Sequence, residues 1–248
     1  MTGRLRLWSY RWPRALIDAL LPCSCALCGE TAGAVVCPPC QRDHAAPGGA
    51  RCPCCANPLG AHEHAGQRCA SCIATVPQFD ATLAAADYAA PLDSLVLRLK
   101  FGAQLPLAPW FAARMVDAVL AQHGWPLPEL LCPVPLGPRR LVERGFNQAL
   151  EIARPLSVAL GAPLEPRLLV RAIDTAAQSG VAPSERAGNI HGAFEVADDA
   201  LGKIQGRHIG VVDDVMTSGH TLNEIAATLK RAGAARVSNL VFARTPPH

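Results

Sequence analysis

The chain has 248 residues, half of them hydrophobic and 17% charged, which is enough apolar material for a real core and excludes wholesale disorder. At about 150 residues per domain the length suits one large domain or two unequal ones. The longest charge-free runs, such as Gly102 to Ala113, fall short of the ~20 apolar residues of a membrane span, and a net charge of only +3 lacks the broad basic surface of a generic nucleic-acid binder.

Residues 1–22 read as a basic arm. Arg4, Arg6, Arg11 and Arg14 face one acid, Asp18, with Trp8, Tyr10 and Trp12 interleaved. A short amphipathic helix leading into the next domain is the simplest reading, and a membrane-surface or nucleic-acid arm is the alternative. The apolar patch Ala15 to Leu21 is broken by Asp18 and lacks a small-residue cleavage site, so no secretory signal is expected. The expected compartment is then the reducing cytoplasm, where clustered cysteines usually bind metal.

Residues 23–78 hold ten of the eleven cysteines, eight of them in four Cys-x-x-Cys pairs: Cys25/Cys28, Cys37/Cys40, Cys52/Cys55 and Cys69/Cys72. A two-residue gap lets both sulfurs of a tight turn point at one ion, and two such turns supply a tetrahedral Zn²⁺ site. Four pairs in series with Pro- and Gly-rich spacers favour two structural zinc sites over disulfides or redox dithiols. Sequential pairing is the simplest arrangement, and an interleaved cross-brace fits the spacing equally. Cys23 and Cys54 stand outside the pattern, and His62 and His64 read as loop residues that could replace a thiolate. So short a segment has little to bury, so metal replaces a core. Its net negative charge and few aromatics favour a structural or docking role over nucleic-acid binding.

From residue 79 to 248 short apolar runs alternate with helical stretches, the pattern of an α/β parallel sheet with crossover helices. Strands are expected at Leu83–Tyr88, Leu130–Val134, Leu168–Val170, Ala193–Val196, His208–Val212 and Val237–Phe242. Helices are expected at Leu92–Phe101, Leu107–Gln122, Gln148–Leu160 and Thr221–Ala232. Cys132 sits alone at a strand end with no evident histidine partner and reads as a buried apolar filler.

The most informative segment runs from Ile209 to Thr221. A buried strand ends in Asp213 and Asp214, and a small hydroxyl-bearing loop, Met216-Thr217-Ser218-Gly219-His220-Thr221, then opens a helix. Backbone N–H groups at a helix start make a phosphate cradle, and adjacent carboxylates suit sugar hydroxyls or a metal-bound diol. Neither a Walker lysine nor a Gly-x-Gly-x-x-Gly loop is present.

This segment resembles the phosphoribosyl pyrophosphate (PRPP) motif of type I phosphoribosyltransferases. Pro133 through Arg140 with Glu143-Arg144-Gly145-Phe146-Asn147-Gln148 is similar to the Arg-Gly-Phe-Asn-Gln signature of ComF-family proteins. Asp174 through Phe194, with Gln178, Arg186, Asn189, Gly192 and Phe194, resembles the same family's later block. The four cysteine pairs match the double zinc ribbon of that architecture, so the resemblance covers nearly the whole chain.

The resemblance implies a type I phosphoribosyltransferase-like fold behind a double zinc ribbon, with a family link to DNA uptake during bacterial competence. It implies that Asp213 and Asp214 hold the ribose hydroxyls and that Met216 to Thr221 wrap the 5′-phosphate. Mg²⁺ would accompany PRPP, and Arg139, Arg140 and Arg144 occupy the pyrophosphate-loop position; a solvated helix-start face is the other reading of these arginines. Arg186, with Arg171, Gln178 and Asn189, falls where such enzymes place a lid, although Ser184 could instead cap a short helix that turns Arg186 outward. Thr217 stands where 6-oxopurine enzymes carry a basic aspartate, which disfavours purine salvage. The acceptor pocket is expected in a hood around Tyr88 to Phe101. Two activities follow as alternatives: phosphoribosyl transfer to an unknown acceptor, or PRPP or nucleotide binding without turnover by a protein whose ribbons dock on DNA-processing partners.

Overall fold

The computed structural model describes residues 23–45, 49–60, 66–171 and 192–246. Its core is a four-stranded, all-parallel sheet in the order β3-β8-β7-β4, formed by β3 (Ala81–Asp87), β8 (Arg236–Arg244), β7 (His208–Met216) and β4 (Leu130–Pro133). The central strands β7 and β8 carry the apolar runs, and Ile209, Val211, Val212, Leu240, Val241 and Phe242 are fully enclosed. Strands buried on both faces read as continuous hydrophobic runs, which is why these two were legible.

Among the described residues six helices flank the sheet or its loops. They are α3 (Leu92–Gly102), α4 (Leu107–Ala121), α5 (Pro138–Arg144), α6 (Gln148–Leu160), the single turn α7 (Leu201–Ile204) and α8 (His220–Arg231). The expected helices at 92, 107, 148 and 221 all form within a residue of their expected bounds. Helix α5 was not expected, because it buries none of its residues and so leaves no apolar periodicity to detect.

Two of the six expected strands lie outside the parallel sheet. β5 (Leu169–Arg171) and β6 (Phe194–Val196) pair only with each other, antiparallel, in register Leu169↔Val196 and Arg171↔Phe194. Each is three residues long with only its first residue buried, so it has one face to cover and no place between fully enclosed strands.

The cysteine-rich segment contains β1 (Cys23–Ser24), β2 (Thr31–Ala32), α1 (Pro38–His44) and α2 (Ala70–Ala74). It is built into the body. Cys25, Val36, Cys37 and Cys40 join the buried cluster containing Leu95, Trp110, Phe111 and Phe242, while Cys52, Cys55, Cys69 and Cys72 join the cluster containing Ile209, Ile225 and Val241. Trp110 Nε1 donates to Gln41 Oε1 at 3.3 Å, Thr82 N donates to the Pro53 carbonyl at 3.2 Å, and Arg51 pairs with Asp87 at 2.8 Å. The ribbon therefore covers the β3 edge, whose unpaired backbone groups would otherwise face water.

Candidate functional site

The cysteines gather into two four-sulfur groups, Cys25/Cys28/Cys37/Cys40 and Cys52/Cys55/Cys69/Cys72, with the ligand atoms of each within 4.8 Å of one another. Sulfur separations of 3.8 Å for Cys28–Cys37 and 3.5 Å for Cys55–Cys69 are close to the edge of a tetrahedron with Zn–S bonds of about 2.3 Å. Backbone N–H groups already point at sulfur: Cys37 N and Leu27 N donate to Cys25 Sγ, and Cys69 N donates to Cys52 Sγ. Burial raises the Cys25 thiol, but the N–H groups of Cys37, Cys28 and Leu27 outweigh it and hold the group at about 6, ready to ligate as thiolate. The residues fit zinc, and the pairing is sequential. Cys23 and Cys54 belong to neither group.

The second site lies at the carboxyl ends of the parallel strands. Strand β7 runs four residues further than its apolar signal, because its backbone stays in register with β8 through Asp213↔Val241 and Met216↔Arg244. Asp213 and Asp214 are thus strand residues near the carboxyl end of β7. Asp214 is buried, and Lys100 Nζ, at the end of α3, lies 2.7 Å from its Oδ2. That oxygen carries no directed hydrogen bond, so it remains an acceptor for a hydroxyl or a hard cation. Asp213 accepts from the Asp214 N–H at 2.9 Å. Burial, then the Asp214 charge beside it, pushes the Asp213 carboxyl well above its ordinary range, against the pull of Lys100.

Residues Thr217–Gly219 form the loop between β7 and α8, with Thr217 and Ser218 exposed. Gly219 has φ +83°, and a Cβ there would lie 2.5 Å from the Met216 Cε. This left-handed residue turns the chain directly into α8, whose first N–H groups have no intrahelical partner. The expected result of Gly219→Ala is a loss of about 1–2 kcal/mol, read as a lower melting midpoint in calorimetry.

A cavity of about 560 Å³ opens beside Lys100 and is lined by Phe101, Leu136, Arg140, Arg144 and Gln148, among others. Its wall is built by the Arg-Gly-Phe-Asn-Gln segment. Gly145 ends α5 with φ +79°, and Asn147 caps α6 by accepting from Ala149 N and Leu150 N. The Asn147 Nδ2 donates to the Val134 carbonyl at 3.0 Å, which pins the loop to the end of β4. Arg144 donates to Gln148 Oε1 and stacks its guanidinium over Phe101 at 5.4 Å. Burial lowers the Arg144 guanidinium below its ordinary value, against the pull of the Asp214 and Asp213 charges. Another cavity, of about 460 Å³, lies between Arg51, Cys52, Thr82 and Arg114, apart from these charges.

Residues 16–76 match the double zinc ribbon domain family, and residues 147–247 match the phosphoribosyl transferase domain family. The chain is 35% identical over 197 residues to the DNA utilization protein YhgH of Salmonella typhi, covering 78% of this chain and 84% of that protein. It is 32% identical over 185 residues to Competence protein F of Haemophilus influenzae, covering 73% of this chain and 80% of that one. The chain belongs to the ComF family. Among solved structures, the glutamine PRPP amidotransferase of B. subtilis has 20% identity and a TM-score of 0.32, over 53% of this chain and 25% of that one.

In this ComF-family chain the sequence-expected site residues fall into three groups. Arg140 and Arg144 line the cavity, while Arg139 pairs with Glu143 at 2.8 Å on the exposed side of α5. Asp213, Asp214 and the 216–221 loop lie together at the strand ends. Arg186, Gln178 and Asn189, like Ser184, the arm at 1–22, His62 and His64, lie outside the described residues. Cys132 is fully enclosed and its thiol is pushed up to about 12 by burial, the state of an inert core residue. Sequence reasoning missed Lys100 and Arg244. Lys100 was inside the expected hood but unassigned, and its signal was a second cation, after Arg98, in the last turn of a largely apolar helix. The signal for Arg244 was a charge ending the apolar run Leu240-Val241-Phe242-Ala243. Among the described residues no helix is long and apolar enough to cross a membrane.

Proposed function

We propose that this chain binds PRPP and that its α/β body transfers, or once transferred, the 5-phosphoribosyl group to an acceptor, releasing pyrophosphate. The observation that carries this reading is the acidic pair near the carboxyl end of a buried parallel strand, with a glycine-turned loop at a helix N-terminus beginning after two intervening residues. Asp213 and Asp214 accept the ribose hydroxyls. The N–H groups and hydroxyls from Met216 to Thr221 cradle the 5′-phosphate. Lys100, Arg140 and Arg144 receive the pyrophosphate, two of them through planar forks that hold phosphate oxygens in fixed geometry.

In the reaction a bond forms between C1′ and the acceptor as the bond from C1′ to the pyrophosphate oxygen breaks. The electron pair of the broken bond leaves with pyrophosphate, so negative charge grows where the cations are already placed. Asp213 and Asp214 would hold a Mg²⁺ ion brought with PRPP, which would supply charge neutralisation of the leaving group. Thr217 supplies no base at neutral pH, so the acceptor arrives already anionic or loses its proton elsewhere. Arg139 and Arg186 remain candidates for contact once ligand is bound, the latter from the segment between β5 and β6.

A second reading draws on the relatives, whose names concern DNA utilization and competence. Under it the site binds PRPP or a nucleotide without turnover, and the ribbons dock on DNA-processing partners. Calorimetry with PRPP and Mg²⁺, followed by a pyrophosphate-release assay over a panel of acceptors, separates the two. Tight binding with release that disappears in Asp213→Ala/Asp214→Ala supports transfer. Binding without release supports the accessory role, and absence of binding overturns both.

A further inference from the structure

Arg244 ends β8 and is buried, yet no carboxylate pairs with it among the described residues. Its Nε donates to the Cys55 carbonyl at 3.0 Å, on the second zinc knuckle. Its Nη1 donates to the carbonyls of Met216 at 3.0 Å and Thr245 at 2.7 Å, and also to that of Thr217. Thr245 N adds a bond to the Met216 carbonyl at 3.0 Å. One guanidinium therefore spans the metal knuckle and the first two residues of the phosphate loop.

A cation is costly to bury unless it is paired. Arg244 lies against the second quartet through the Cys55 carbonyl. A divalent metal held by four thiolates leaves that centre net negative, so zinc both fixes the Cys55 turn and places a negative centre beside the guanidinium. Without metal nothing fixes the Cys55 end of this bridge, while the other donors still hold the loop. The carbonyls of Met216 and Thr217 point at Arg244, which turns the peptide N–H groups of the loop the other way, toward the space before α8.

We propose that Arg244 is a positioning residue that ties the second zinc knuckle to the phosphate loop, so that zinc occupancy sets the geometry in which that loop meets a phosphate. The loop's role as a phosphate cradle rests on the function proposed above; the mechanical link does not.

The test uses the full-length, zinc-loaded protein with Arg244→Gln and Arg244→Lys. In ligand-free protein, hydrogen exchange of Thr245 and Asn223, whose N–H groups donate to the Met216 and Gly219 carbonyls, should speed up at least about tenfold in Arg244→Gln, the scale of one lost charge-assisted bond. Release of one of the two zinc ions to a chromogenic chelator should accelerate similarly while the other is unchanged. Arg244→Lys keeps the charge without the fork, so it should restore zinc retention more than loop protection. In the wild type, stepwise chelation should deprotect Thr245 and Asn223 together with loss of the second zinc, an observation that survives if the variants fail to fold. Unchanged exchange after that zinc is lost, or unchanged zinc release in Arg244→Gln, overturns the proposal. PRPP titration of the same samples is read separately. A wild type that fails to bind PRPP overturns the proposed function, while exchange and zinc release still decide the link.

Discussion

Stripping zinc from the intact protein is expected to lower its melting midpoint by at least about 10 °C, in one transition that includes the sheet. A cysteine-rich head on a flexible tether would melt alone and leave the α/β body untouched. The packing argues otherwise, because the two cysteine quartets sit in different buried clusters, one with Trp110 and Phe111 and the other with Ile209 and Ile225. Thr82, Asp87, Trp110 and Arg244 each bond to the cysteine-rich segment, from β3, α4 and β8. Loss of metal leaves four thiols in each quartet with no ion to close them, and the ribbon's short elements have little else to fold around. The β3 edge and both clusters then lose cover together. Differential scanning calorimetry with and without a chelator checks this. A second, unshifted transition for the body would show that the ribbons fold independently and that the contacts with β3, α4 and β8 carry little energy.

How much of this was legible depends on how far apart the cooperating residues lie in sequence. The cysteine spacing disclosed two metal sites, but sequential and interleaved pairing use the same spacing, so only the gathered sulfurs decide between them. The β7 apolar run ended at Val212 to the eye, whereas the strand ends at Met216, because backbone pairing with β8 continues after hydrophobicity stops. Helix α6 forms on the expected residues, with Asn147 capping its start. Helix α5 buries nothing and left no trace. The charge partners of the site were beyond sequence pattern. Lys100 meets Asp214 only after the sheet and α3 have assembled, and Arg244 reaches Cys55 across 189 positions. Such pairs are products of tertiary packing, and nothing local announces them. Local chemistry nevertheless picked out the candidate site, because a strand-end acidic pair and a helix-start loop are contiguous in the chain.

Asp213→Asn is expected to make the ligand-free protein more stable at neutral pH and to weaken the PRPP binding proposed for it at least about tenfold. Burial and the neighbouring Asp214 charge raise the Asp213 carboxyl well above 3.8, its ordinary value, so the folded chain holds this proton more tightly than the unfolded chain does. The sign of the linkage follows: the contribution is fully present below the unfolded-state value and is lost as pH rises through the folded-state one. Asparagine has no proton to lose, and its side-chain oxygen still accepts the Asp214 N–H. The variant's advantage in melting midpoint should therefore be absent near pH 4 and grow toward pH 8, at roughly 2–4 °C per kcal/mol for a chain of this size. Asp214→Asn should behave differently, because it breaks the ion pair with Lys100, which is 23% exposed, and so costs a screened fraction of a buried pair. Each carboxylate-to-amide change should weaken PRPP by at least about tenfold, the scale of one hydrogen bond to a charged group. Thermal scans from pH 4 to 8 beside PRPP titrations read both effects. An Asp213→Asn protein no more stable than wild type at pH 8 would mean that the acidic pair is not strained in the empty site. Opposite signs for stability and binding would instead identify Asp213 as a residue kept for its ligand at the fold's expense.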